Sequence, residues 1–149
     1  AICVTGAFGA AWRTQRHLTF TPRVAEARIL AGQYGLHSMI DVSDGLSIDL
    51  GHVCKASGVG ADIQAEAVPV HPDALKRPEW LAAALGDGED YELLFTLPQD
   101  QAERLLADRP LGEVPVTRIG AIVAGAARTL VLADGRRQEL VARGWQHDT

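Results

Sequence analysis

The sequence is poor in several features that would commit it to a function class. Aromatic residues make up only 5% of its 149 residues, and cysteine occurs twice, at Cys3 and Cys54, with no CxxC spacing. Two isolated thiols fit a reduced, cytoplasmic chain better than a disulfide scaffold or a sulfur-ligated metal site. No apolar run approaches the roughly 20 residues needed to span a bilayer. Ala1–Trp12 has no basic segment ahead of its apolar residues, so it reads as a poor signal peptide. Positive charge is scarce as well. The formal net charge is −5, the pI is about 5.5, and the arginines are scattered, which excludes a broad nucleic-acid surface. The five histidines show neither HxxxH nor HExxH spacing, and no GxxxxGK[ST] stretch occurs.

What remains is a balance of 47% apolar and 22% charged residues, as expected of one globular domain with a real core. Ala1–Thr5, Ser38–Val42, Ala61–Ala67, Tyr91–Leu97 and Val116–Val123 read as strands, the last bulged at Gly120. Thr129–Leu132 and Glu139–Val141 flank Asp134-Gly135, a hairpin turn signal. Helices are expected from Thr21 (as N-cap, with Pro22 at the first helical position) to Gly35, over Leu46–Ala56 and Glu79–Leu85, and from Pro98 to about Ala107. The fold class is α/β (α+β), a mixed β-sheet flanked by helices. The chain opens without Met in an apolar run, as expected of a fragment. An apolar first strand cut from its own domain would present an open edge and promote self-association.

Two acidic constellations carry the chemistry. Asp41-Val42-Ser43-Asp44-Gly45 sits at a strand–helix junction. Carboxylates that close repel unless a cation joins them, and hard oxygen ligands suit Mg²⁺. Ser43 and the amides of the following helix would suit a phosphate. The competing reading makes Ser43 or Asp44 only an N-cap, and Asp49 reads as a solvated helix charge. Gly86-Asp87-Gly88-Glu89-Asp90-Tyr91-Glu92 places four carboxylates within six positions, either a binding loop or an acidic turn. Thr5-Gly6-Ala7-Phe8-Gly9 has too few glycines for a nucleotide loop and reads better as a turn toward a missing partner domain. Trp145, in a polar tail, is either an anchor for the tail or a stacking platform.

Together, Asp41–Leu46, Asp49-Leu50, Ala56–Ala61, Gly88–Phe95 and Gly144-Trp145-x-His147 resemble, in order and spacing, the hallmark stretches of the thiamine-monophosphate kinases. The resemblance implies the C-terminal domain of the aminoimidazole ribonucleotide synthetase-like fold. Residues 1–20 would be a remnant strand of the N-terminal domain and a linker, and 21–149 the C-terminal kinase domain. It also implies ATP-dependent phosphorylation of thiamine monophosphate to thiamine diphosphate with Mg²⁺. By position, Asp41 and Asp44 would bind the metal, Ser43 would contact ATP, and Glu89 and Trp145 would contact thiamine phosphate. The parent would be a cytoplasmic homodimer formed through its N-terminal domain, and the isolated chain would be inactive. Alternatives are a non-catalytic phosphometabolite-binding module, or a superfamily kinase or synthetase with another substrate. The sequence departs from the family in a short Gly9–His17 stretch, and in Asp87, where a glycine is usual.

Overall fold

In a computed structural model of the protein, residues 1–142 and 144 are described. Seven strands form one sheet: β1 (Ile2–Thr5), β2 (Ser38–Asp41), β3 (Gly60–Gln64), β4 (Leu93–Thr96), β5 (Val116–Val123), β6 (Arg128–Val131) and β7 (Arg137–Glu139). Their spatial order is β2-β4-β1-β5-β3-β6-β7. All neighbours are antiparallel except β3 and β6. The helices are α1 (Val24–Gln33), α2 (Leu46–Ser57), α3 (Pro72–Leu75), α4 (Trp80–Gly86) and α5 (Gln99–Asp108). The expected mixed sheet flanked by helices is present.

Side chains alternate across the sheet and reach a separate core on each face. Ile2 and Val4 of β1, Leu94 of β4 and Ile63 of β3 pack against Leu46, Leu50 and Val53 of α2 and Leu85 of α4. Cys3, Leu93 and Phe95 point the other way, onto Leu30 of α1 and Ala102 and Leu105 of α5. Burial on both faces explains why ICV and LLF are continuous apolar runs with no polar alternation. Among the described residues, no helix is long and apolar enough to cross a membrane.

Several expectations are corrected. β1 is an inner strand, paired with β4 on one side and β5 on the other, so it presents no open edge and gives no reason for self-association. α1 starts at Val24 with Arg23 as its N-cap residue and no side-chain cap. Arg23 is drawn to Glu92, and this pairing, with no Thr21 cap, fixes the entry into the helix. The strand read as Ala61–Ala67 ends at Gln64, because Ala65–Ala67 turn into a 3-10 segment. The Asp134-Gly135 hairpin is present, with Gly135 N–H donating to Leu132 O, though β7 is Arg137–Glu139 and not Glu139–Val141. The register shift expected at Gly120 falls beside it, since Ile2 pairs with Gly120 and Cys3 with Arg118.

Phe95 is wholly buried. Truncating it leaves a cavity in the core beneath α1 and α5, so Phe95→Ala should lower unfolding stability by about 3–5 kcal/mol. Urea denaturation followed by circular dichroism measures this, and a loss below about 1 kcal/mol would show that this core relaxes around the gap.

Candidate functional site

The two acidic segments, far apart in sequence, meet at one end of the sheet. β2 and β4 pair up to Asp41 and Leu93, and the pairing continues beyond the strands. Val42 N–H donates to Glu92 O, Tyr91 N–H to Val42 O and Glu89 N–H to Ser43 O, at 2.7–2.8 Å. Gly88 makes this approach possible. Its φ is +72°, and a Cβ there would lie 2.8 Å from Ser43 O, so a side chain is excluded by both strain and space.

The loop that follows is unusual, because Glu89 (φ +57°) and Tyr91 (φ +52°) are left-handed without being glycine. Such residues cost of order 1 kcal/mol each and persist only where surrounding contacts hold them. Three of the loop's four acids provide those contacts. Asp87 Oδ2 accepts from Ala10 N–H at 3.0 Å and pairs with Arg77. Asp90, 6% exposed, accepts from Gly9 N–H at 3.0 and 3.1 Å and from Arg16 Nη2 at 2.8 Å. Glu92 takes a two-pronged bond from Arg23 at 2.8 and 2.9 Å, plus the Thr5 hydroxyl at 2.7 Å. The Thr5–Gly9 segment is therefore an anchor for the acidic loop, and its Gly9 amide is already committed to Asp90. Asp87, the departure from the family pattern, serves the same anchoring.

Glu89 is the exception. Its Oε2 is buried and has no hydrogen-bond partner among the described residues; His17 Nε2 lies 3.8 Å from it. An unsatisfied buried carboxylate oxygen is costly unless something else meets it. His17 stacks on the exposed Trp12 with ring centroids 4.7 Å apart, and Phe20 stacks on Tyr91 at 4.2 Å. Glu89 thus has aromatic surface on neighbouring residues.

On the other segment, Asp41 is exposed at the end of β2, and Ser43 and Asp44 are half-buried. Neither Ser43 nor Asp44 is the N-cap residue of α2. The N-cap residue is Gly45 (φ +115°), with no side-chain cap. Asp49 does this work from inside the helix: its Oδ2 accepts from Asp44 N–H at 3.1 Å and Gly45 N–H at 3.2 Å. It is 2% exposed, not the solvated charge its sequence position suggests. Burial pushes its carboxyl up to about 6, against the pull of those two amides. Asp44, Asp49 and His52 offer ligand atoms within 4.8 Å of one another. Trp145 lies outside the described residues.

Sequence reasoning missed Arg16, Arg23 and Asp49 as organisers of the site. The arginine pairs span 74 and 69 positions, so no local pattern announces them. Asp49 had a visible signal in its four-residue offset from Gly45, the reach of one helical turn.

Two outcomes follow for these buried acids. Asp49→Ala strips two amides of their acceptor and should cost about 1–3 kcal/mol, whereas Asp49→Asn keeps a carbonyl and should cost less. Chemical denaturation of both variants checks the order. Burial also raises the Asp90 carboxyl from 3.8 to about 7 despite the Gly9 amide and Arg16. A folded-state pKa above the unfolded value means the folded form holds its proton more tightly. Stability from Asp90 is therefore fully present below about pH 4 and is lost as pH rises to about 7. Unfolding free energies between pH 4 and 8 should show this decline in the native chain and lack that component in Asp90→Asn.

The family described as AIR synthase related protein, C-terminal domain, matches residues 14–133. A thiamine-monophosphate kinase from Escherichia coli (strain K12) is 40% identical over 150 residues, covering 97% of this chain and 45% of that protein. The crystal structure of thiamine-monophosphate kinase from Stenotrophomonas maltophilia K279a superposes with a TM-score of 0.76 at 30% identity, over 91% of this chain and 50% of that one. The structure of AaThiL complexed with AMPPCP and TMP gives a TM-score of 0.79 at 26% identity, over 99% of this chain and 51% of that one. The chain thus spans about half the length of the curated relatives it matches. With its mixed sheet and its paired acidic segments, the chain belongs to the AIR synthase related protein family, as a C-terminal domain of that family.

Proposed function

We propose that this chain is the C-terminal domain of a thiamine-monophosphate kinase, which transfers the γ-phosphoryl group of ATP to thiamine monophosphate. The observation that carries the reading is Glu89: one acid in a loop of four, with a buried oxygen left without a hydrogen-bond partner among the described residues. A cationic thiazolium ring is a fitting counterpart for such a carboxylate. Similarity to proteins named thiamine-monophosphate kinase supports the substrate, as does a structural relative complexed with AMPPCP and TMP.

In this reading Asp41 and Asp44 hold Mg²⁺, Ser43 contacts ATP, and Glu89 and Trp145 contact thiamine phosphate. The donor set fits the metal, because exposed and half-buried carboxylate oxygens suit a hard cation that keeps part of its water shell. When bound, Mg²⁺ neutralises phosphate charge. Glu89 holds the substrate cation, and Trp145 offers a ring face to it. The backbone ladder from Val42 to Ser43 fixes Glu89 relative to Asp44, and phosphoryl transfer depends mostly on such positioning. A preceding domain completes the ATP site and the homodimer of a cytoplasmic parent. Residues 1–20 lead in from that domain while lending β1 to the sheet, and 21–149 form the rest of the kinase domain.

On its own the chain should give no turnover in a coupled ADP-release assay with ATP, Mg²⁺ and thiamine monophosphate. A chimera carrying this chain in place of the matching part of the Escherichia coli relative should turn over, and Asp44→Ala should reduce its rate at least about a hundredfold. A folded chimera without thiamine-monophosphate-dependent ADP release overturns the substrate. An Asp44→Ala chimera with undiminished rate overturns the metal assignment.

A further inference from the structure

A cleft of about 730 Å³ runs along the outer side of α2, from Asp44 ahead of the helix to Val59 just past it, a span of about 18 Å. Its wall is mainly apolar, with Ile48, Val59 and Ala126 among the lining residues, and it carries three nitrogen-bearing side chains, His52, Lys55 and Arg128. Among the described residues, neither Ser43 nor Glu89 lines it, and only Asp44 is shared with the metal site.

Arg128 is the informative residue. It reaches from β6 across α2 and donates from Nη1 to Ser47 O at 3.3 Å. Gly51 makes the room, since a Cβ at that position would stand 2.3 Å from Nη1. The helix backbone at Gly51 does not have a positive φ, so it gains nothing from glycine, which costs about 1 kcal/mol relative to alanine inside a helix. The missing side chain instead leaves a slot in which the guanidinium lies against the helix. Among the described residues, Arg128 makes no ion pair, and neither does Lys55. All the arginines near the acidic loop, by contrast, are matched to carboxylates. Two permanent cations from different elements, one of them pre-positioned, face a cavity of ordinary ligand size. Lys55, in the last turn of α2, also offsets the negative end of the helix that would otherwise repel an anion.

We propose that this cleft binds an organic phosphate monoester. Its phosphate would be held by Arg128 and Lys55, and its apolar body would lie along Ile48, Val59 and Ala126. Neither Arg128 nor Lys55 is among the residues proposed above for metal, ATP or thiamine phosphate, so this inference does not rest on the kinase reading. A guanidinium held in a slot is suited to two-pronged contact with phosphate oxygens, and the apolar wall favours an ester over the free ion.

The test is calorimetry on the full chain without Mg²⁺, using phenyl phosphate, inorganic phosphate and phenol as probes. Amide NMR shifts locate the bound probe. Phenyl phosphate should bind more tightly than either of the other two, with shifts confined to 48–59 and 126–128. Arg128→Gln and Lys55→Gln should each weaken it about tenfold, as expected for loss of one charge-assisted hydrogen bond. Lys55 is exposed, so its variant keeps the test intact should Arg128→Gln fail to fold. The proposal is overturned by phenol binding as tightly as phenyl phosphate, by affinity unchanged in Lys55→Gln, by no binding at all, or by shifts confined to 41–45 and 88–92. The last outcome would assign the phosphate to the acidic segments and leave the kinase reading untouched.

Discussion

Four carboxylates within six positions repel one another, and everything at this site depends on how that repulsion is met. The fold meets it with partners from outside the loop: Arg77 on Asp87, the Gly9 amide and Arg16 on Asp90, and Arg23 with Thr5 on Glu92. These contacts are charge-assisted and largely buried, which makes them stronger than surface pairs. They hold two non-glycine residues in left-handed backbone. The strain is concentrated next to Glu89, whose Oε2 is left unmatched among the described residues. A loop with every acid satisfied would be more stable and would have nothing left with which to bind a cation.

The same contacts tie the loop to the sheet. Thr5 ends β1, an inner strand, and its hydroxyl both donates to Glu92 and accepts from Leu93 N–H at 2.8 Å. The position of Glu92 is thus fixed from the centre of the sheet. From there the β2–β4 ladder carries the register to Ser43 and Glu89. Asp49 sets the other half by holding the turn before α2 from within the helix. Few of these groups would touch a ligand, yet each fixes the orientation of one that would.

Much of this was legible in the sequence. Strand and helix periodicities located nearly every element, and Asp134-Gly135 marked its hairpin. The two acidic segments drew attention because carboxylates at that density need partners. The partners themselves were not legible. Arg16 and Arg23 look like scattered surface charges until the fold brings β1 against β4. Asp49 carries the same letter whether solvated or buried, and only packing of α2 on the sheet decides between them. The start of α1 was misplaced for a related reason: a Thr-Pro cap is a local signal, and a long-range pair between Arg23 and Glu92 overrode it.

The inner placement of β1 also bears on how the chain acquires its shape. Ile2, Cys3 and Val4 find their neighbours in residues 94–96 on one side and 117–120 on the other, so closing the sheet brings together segments about a hundred positions apart. Such closures are entropically expensive and slow. During synthesis the first apolar strand emerges long before either neighbour exists. Until residues 87–96 follow, Ile2–Thr5 must be kept from other strands by its surroundings, and Thr5, Gly9 and Arg16 have no acidic loop to anchor. The site therefore assembles late, together with the closure of the sheet.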